Sequence, residues 1–149
     1  MDAGFWSLWD AQHRLLITRL TGDVSVEDVA RWQAGLYQTL DQIEENSRFL
    51  LLSDLTDYAP HDMAAHKAMR TVVPLLLAAY GMRPALLDLF PEAEIAVTLT
   101  RSIRCCAHAH VHHDADKMAG YERALARPNQ RFFDDVASAR RWLLSFDSQ

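Results

Sequence analysis

Apolar residues recur along this chain with two different spacings, and the changes of spacing mark out its elements. Phe5 to Asp10 and His13 to Leu20 hold aromatic and branched residues in short runs. They predict two strands joined as a hairpin through Ala11 and Gln12, with Gly22 ending the pair. From Ser25 the period lengthens: Val29, Trp32, Leu36, Leu40 and Ile43 recur at three- and four-residue steps. That is one apolar stripe of a helix, with Asn46 as its stop. Ser25 suits the N-cap, its hydroxyl placed to accept from the Asp28 amide, and the helix dipole favours the Asp28 carboxylate there. Arg48 to Asp54 (R-F-L-L-L-S-D) is then an unbroken apolar run, the pattern of a strand covered on both faces.

A second helix is predicted from about Asp62 to Tyr80, closed by Gly81 in a left-handed conformation and kinked or interrupted by Pro74. Arg83 to Phe90 reads as a short helix ended by Pro91. Glu94 to Thr100 alternates apolar and small polar residues as a half-exposed strand does, and Arg104 to His112 follows closely enough to pair with it as a hairpin. Asp114 or Asp116 caps a helix through Ala126, with Met118, Tyr121 and Leu125 on one face, before Pro128 and Asn129 break it. Gln130 to Phe133 is a short strand. Asp134 or Asp135 then caps a last helix whose buried stripe is Val136, Ala139, Leu143 and Phe146. Strands alternating with helices imply right-handed crossovers and an α/β fold with a mainly parallel sheet.

Composition narrows the class. At 149 residues, with no internal repeat and no Pro-, Gly- or Ser-rich linker, the chain reads as one domain spanning residues 1–149. Half of it is hydrophobic and 23% is charged, enough for a core without a metal or disulfide staple. The formal net charge is −5 and the basic residues are dispersed, which argues against nucleic acid as a partner. Cys105 and Cys106 are adjacent, so on a strand their side chains point to opposite faces. They read as two reduced thiols in a reducing compartment. The opening M-D-A-G-F-W-S-L-W-D has no basic segment ahead of an apolar one, and the greasiest run, Val72 to Met82, is too short for a bilayer and contains Pro74. The expectation is a cytoplasmic chain without a secretory signal or transmembrane segment.

Three stretches together carry a resemblance. L-L-I-T-R-L-T-G-D-V-S-V-E-D-V (15–29), F-L-L-L-S-D-L-T-D (49–57) and Q-R-F-F-D-D-V-A-S-A-R-R-W-L-L (130–144) resemble segments of the SpoIIAA-like, or STAS-like, domains. These are the family's early strand and capped first helix, its next strand, and its closing strand and helix. Residues 83–104 read as an insertion. The resemblance implies an α/β superhelix of strand–helix units: a mainly parallel sheet with an N-terminal antiparallel strand and helices packed on it. It also implies a non-catalytic role, binding a protein partner or a small apolar ligand. Family members that antagonise anti-sigma factors are switched by phosphorylation of a serine in a D-S-S-G-type motif after the central strand. The matching region here, D-L-T-D-Y-A-P-H-D-M-A-A (54–65), has neither serine nor glycine. Thr56 is its only aliphatic hydroxyl and lies between Asp54 and Asp57, so this switch is not expected.

The least ordinary feature is a run of histidines: four of the seven lie in C-C-A-H-A-H-V-H-H-D-A-D (105–116). On a strand His108, His110 and His112 share one face. Neighbours two apart are about 6.5–7 Å from one another, close enough for two imidazoles to meet one metal ion. The outer pair is too widely spaced for three ligands on one strand. Parallel strands open at their C-terminal edge, where ligands bind. That edge would bring Asp57, His61, His112 and His113 to a ligand, or His61, His112, His113 and Asp114 to a divalent metal ion. The plainer alternative is that the histidines are hydrogen-bonded and inert. No other cofactor is expected, since the nucleotide loops, the nucleophile elbow, H-E-x-x-H and C-x-x-C are all absent.

The first expectation is therefore a binding module rather than an enzyme; a metal-binding protein or small metal-dependent enzyme is the alternative. A third reading follows from the related SEC14-type lipid-binding domains and needs a cavity behind the helix around Pro74, where Leu75, Leu76, Leu77 and Tyr80 gather. Surplus apolar residues at Phe5, Trp6, Trp9, Leu86, Leu87, Leu89 and Phe90 point to a homodimer.

Overall fold

The run Arg48–Asp54 forms a strand, β3, at the centre of a six-stranded sheet, and six of its seven residues are buried. Its backbone is paired on both sides, in parallel, by β2 (Leu15–Val24) and β5 (Arg104–Val111). An apolar strand belongs in such a place because both of its faces are covered. The N-terminal strand β1 (Gly4–Asp10) runs antiparallel to β2 at one edge, and β6 (Gln130–Phe133) runs parallel to β5 at the other. A short β4 (Tyr58–Pro60) pairs with the far end of β2, where β3 has already stopped. These facts come from a computed structural model that describes residues 2–85 and 95–146.

Helices α1 (Val26–Leu40) and α2 (Met63–Ala79) cover one face of the sheet, α4 (Val136–Leu144) covers the other, and α3 (Ala115–Leu125) lies along β6. Under α1 and α2, Leu16, Leu20, Phe49 and Leu51 meet Val29, Trp32, Leu36, Val72, Leu76 and Leu77. Under α4, Leu15, Leu50, Leu52, Ala107, Ala109 and Val111 meet Ala139 and Leu143. Each fully buried leucine stabilises the fold by about 1.5–3 kcal/mol. Trp32 is buried in the first core, and its Nε1–H donates to Thr18 Oγ1 at 2.7 Å.

Each helix starts where a short acid or serine satisfies its first amides. Ser25 and Asp28 form a complete capping box, and Asp62, Asp114 and Asp135 accept from Ala65, Lys117 and Ser138. Gly81, at φ +81°, closes the second helix as expected, and Asn46, at φ 58°, takes the left-handed turn that leads into β3.

One irregularity decides the layout of the interior. Phe49 faces Cys105, but Leu50 faces Ala107, so Cys106 is an extra residue bulged out of β5. Cys105 therefore packs in the first core and Cys106 beside the second. Beyond the bulge the alternation is shifted by one, which puts Ala107, Ala109 and Val111 under α4. His108 and His110 fall on the face of Leu51, towards α2 and α3.

Several expectations need correcting. Gly22 does not end β2. At φ +82°, with no room for a Cβ beside the Asp2 carbonyl, it bends the strand and lets it continue to β4, which the sequence pattern had not indicated. Helix α2 is not interrupted at Pro74 and runs on to Ala79. No strand forms over residues 95–100. Leu99 makes a single bridge to Tyr80, and the Thr98 amide donates to the Ala78 carbonyl. The proposed hairpin does not form: β3 pairs one edge of β5, and the other edge is taken by β6 over His108–Val111 and by Tyr80, whose carbonyl accepts from the Cys105 amide. The short helix expected over Arg83 to Phe90 falls mostly outside the described residues, as do Leu86, Leu87, Leu89 and Phe90. Among the described residues no helix is long and apolar enough to cross a membrane.

Candidate functional site

With the bulge turning His108 and His110 towards α2 and α3, the structure encloses a cavity of about 120 Å³ between those helices and the β5–β6 end of the sheet. Leu55, Val73, Leu77, Leu125, Tyr121 and Phe132 make most of its wall, and Pro74 lies on the same side. The cavity is thus behind the helix around Pro74. Of the residues expected to gather there, only Leu77 lines it; Leu76 and Tyr80 belong to the core, and Leu75 is exposed.

The deepest polar group on the wall is His108, which is 2% exposed. Its Nδ1 lies 2.9 Å from Gln130 Nε2 and its Nε2 lies 3.0 Å from Ser53 Oγ. An amide NH₂ only donates, so Nδ1 is the acceptor and Nε2 carries the proton that goes to Ser53. The Gln130 Oε1 is free to accept from the Ala85 amide at 2.9 Å, which completes the chain. Protonating His108 would set two donors against each other at Nδ1. Burial, with a smaller push from His110, holds its pKa down to about 3. This histidine is a neutral structural strut.

His110, two residues on, is different. It is half-buried, with its ring 6.3 Å from that of His108 and 5.9 Å from that of Phe132, and among the described residues its nitrogens have no hydrogen-bond partner. Burial, and then His112 and Lys117, push its pKa down to about 4, so it presents one N–H donor and one acceptor to the cavity. Lys117 and Arg70 stand exposed on the lining together with half-buried His66. Lys117 Nζ sits 5.8 Å from the centre of the Tyr121 ring. His66, 6.5 Å from Tyr58 in a stacked pair, is held below its usual pKa by burial and by Lys117 and Arg70. No carboxylate is among the described lining residues.

At the C-terminal edge, β3 and β5 are parallel neighbours, and the loops that follow them do converge. The His113 ring Nδ1 donates to the Thr56 carbonyl at 2.5 Å and stacks on His112 at 4.3 Å. His112 Nδ1 accepts from the Asp114 amide at 3.1 Å, while Asp114 also caps α3. His112 and His113 line an open hollow with Tyr58 and Met63, and it adjoins the cavity through His66 and Lys117. The other two edge residues turn elsewhere. Asp57 pairs with Arg19 at 3.1 Å, and His61 lies 3.0 Å from Asp23, which raises its pKa. Among the described residues no three His, Cys, Asp or Glu side chains converge so as to hold a metal ion. Thr56 Oγ1 donates to the Asp54 carboxylate, so a phosphate placed there would meet a like charge.

Sequence pattern alone pointed to the histidine face, but not to Gln130, Ser53, Tyr121, His66 or Lys117. Only strand alternation carried a signal, and these five come from other elements.

The sheet order, the antiparallel first strand and the helices on both faces define a SpoIIAA-like fold. A crystal structure of an uncharacterised DUF3478-family protein from Shewanella loihica PV-4, itself described as SpoIIAA-like, superposes on this chain with a TM-score of 0.59. That match covers 96% of each chain at 15% identity, a likeness of fold alone. No family model matches the sequence, and no curated protein matches it significantly.

Proposed function

We propose that this protein is a non-catalytic module that binds a small, largely apolar ligand in the cavity between α2, α3 and the β5–β6 end of the sheet. The observation that carries the reading is the contrast between two histidines on one wall. His108 is closed off by Ser53 and Gln130, whereas His110 faces the same apolar space with no hydrogen-bond partner among the described residues. Apolar walls around a few convergent polar groups are the usual make-up of a ligand site. Against catalysis, His108 has no free nitrogen with which to move a proton, and the described lining offers His110 no thiol, serine or carboxylate to work with. The size limits the guest. A cavity near 150 Å³ accepts a benzene-sized molecule, while drug-sized ligands need about 300 Å³ or more.

Toluene is a suitable first probe. In an NMR titration it is expected to shift resonances of Leu77, Tyr121, Leu125 and Phe132 saturably. Met69→Trp, which fills the space from half-buried Met69 on α2, is expected to abolish those shifts while the protein stays folded. Unsaturable shifts, or shifts unaffected by the tryptophan, would remove the cavity from consideration.

A further inference from the structure

We infer that the natural guest is a monoanion: a small carboxylic acid whose ring-sized apolar body fills the cavity and whose carboxylate sits at the mouth between Lys117 and His110. This rests on the binding reading above and names the class of ligand. The charges around the space are one-sided. Lys117, Arg70 and the His66 and His110 imidazoles line it, with no described carboxylate among the lining residues.

Lys117 is the informative residue. It projects from α3 over the face of Tyr121 and, among the described residues, makes no ion pair, although Asp114 and Asp116 lie close by in sequence. An ammonium held over an aromatic ring at a cavity mouth is a ready partner for an anion. Its field is already felt by three imidazoles: it contributes to lowering the pKa values of His66, His110 and His112. A bound carboxylate would offset that field.

The second contact comes from inside. Neutral His110 has a donor to offer and no described group to receive it, and a carboxylate oxygen is a strong acceptor. Leu77, Leu125 and Phe132 then enclose the apolar end, as an anchored ring would need. A dianionic phosphate suits the place less well. Lys117 and one neutral imidazole balance a single charge, and Arg70, the other cation on the lining, is already engaged.

The test compares probes of one shape and different charge. Benzoate, benzyl alcohol and toluene are titrated into the parent protein and into Lys117→Gln, with affinity read by NMR or calorimetry. Lys117 is exposed and outside the core, so the variant is expected to melt with the parent. Benzoate is expected to bind the parent about tenfold more tightly than benzyl alcohol, the scale of one charge-assisted contact, and Lys117→Gln to erase most of that advantage. If the neutral probes bind as well as benzoate, or if the advantage survives Lys117→Gln, the anionic assignment is overturned and the cavity reading stands. If none of the three binds saturably, both are overturned.

Discussion

The hydrogen-bond chain through His108 makes a prediction in which geometry and titration are tested separately. Replacing His108 by Leu leaves the Gln130 amide without its acceptor and the Ser53 hydroxyl without its donor, at sites only 5% and 0% exposed. Each buried polar group left unmatched costs about 1–3 kcal/mol, so His108→Leu is expected to lose roughly 2–5 kcal/mol near neutral pH, less what the apolar side chain gains. His108→Gln keeps a donor and an acceptor near both partners and is expected to lose less.

The titration is the sharper part. Burial holds the folded pKa of His108 down to about 3, whereas an unfolded histidine titrates near ~6.5. Above about pH 6.5 both states are neutral and the contribution is flat; below it the unfolded chain binds a proton that the folded one refuses, so stability falls as the pH falls. The slope is about 1.4 kcal/mol per pH unit, which comes to about 2 kcal/mol between pH 7 and pH 5. His110, with its pKa pushed down to about 4, adds a similar fall that parent and variant share. Urea unfolding at pH 7 and pH 5 is then expected to show the parent losing about 2 kcal/mol more than His108→Gln over the interval. Equal losses would mean that His108 protonates freely inside the fold, and the chain from Ala85 to Ser53 would be wrong.

Leu51, fully buried in β3, is expected to tolerate no charge. Leu51→Asp should lose several kcal/mol or force its carboxyl to stay protonated, and a melting curve like the parent's would contradict the interior position. His61 is expected to titrate above its ordinary range because Asp23 stabilises its charged form, and Asp23→Asn should bring the NMR midpoint down. Phe5, Trp6 and Leu8 stand exposed on edge strand β1, and a homodimer that buries them is expected in sedimentation with little dependence on salt. A parent that sediments only as monomer at micromolar concentration, or a dimer that survives Trp6→Lys with Leu8→Lys, would exclude that interface.

Much of the fold was legible because its signals are local. The bounds of β3 and β6, the capped starts of α1, α3 and α4, and the turn at Gly81 each follow from a few adjacent residues. What escaped depends on partners far along the chain. Three-residue β4 has no periodicity of its own and exists because β2 outruns β3, while residues 95–100 alternate like a strand but find no open edge. The site divides in the same way. Alternation placed His108 and His110 together, but whether each is satisfied depends on Ser53, Gln130 and Ala85, brought there by sheet register. Asp57 and His61 were expected to face a shared ligand. Arg19 and Asp23, both on β2, draw them aside, and no pattern near residue 60 reveals those partners.

The extra residue at Cys106 has a consequence for how such a protein can change. If β5 paired straight through, without the bulge that absorbs Cys106, plain alternation would exchange the two sides of the strand beyond it: imidazoles would enter the layer now filled by Ala139 and Leu143, and alanines would line the cavity. No residue that touches the cavity would have been substituted, yet its chemistry would be gone. In this fold, whether one extra residue is absorbed as a bulge or passed along the strand acts as an on–off switch for an interior binding site. Chains that share the architecture can therefore differ completely in what they hold, while point-by-point comparison of their site residues shows no reason why.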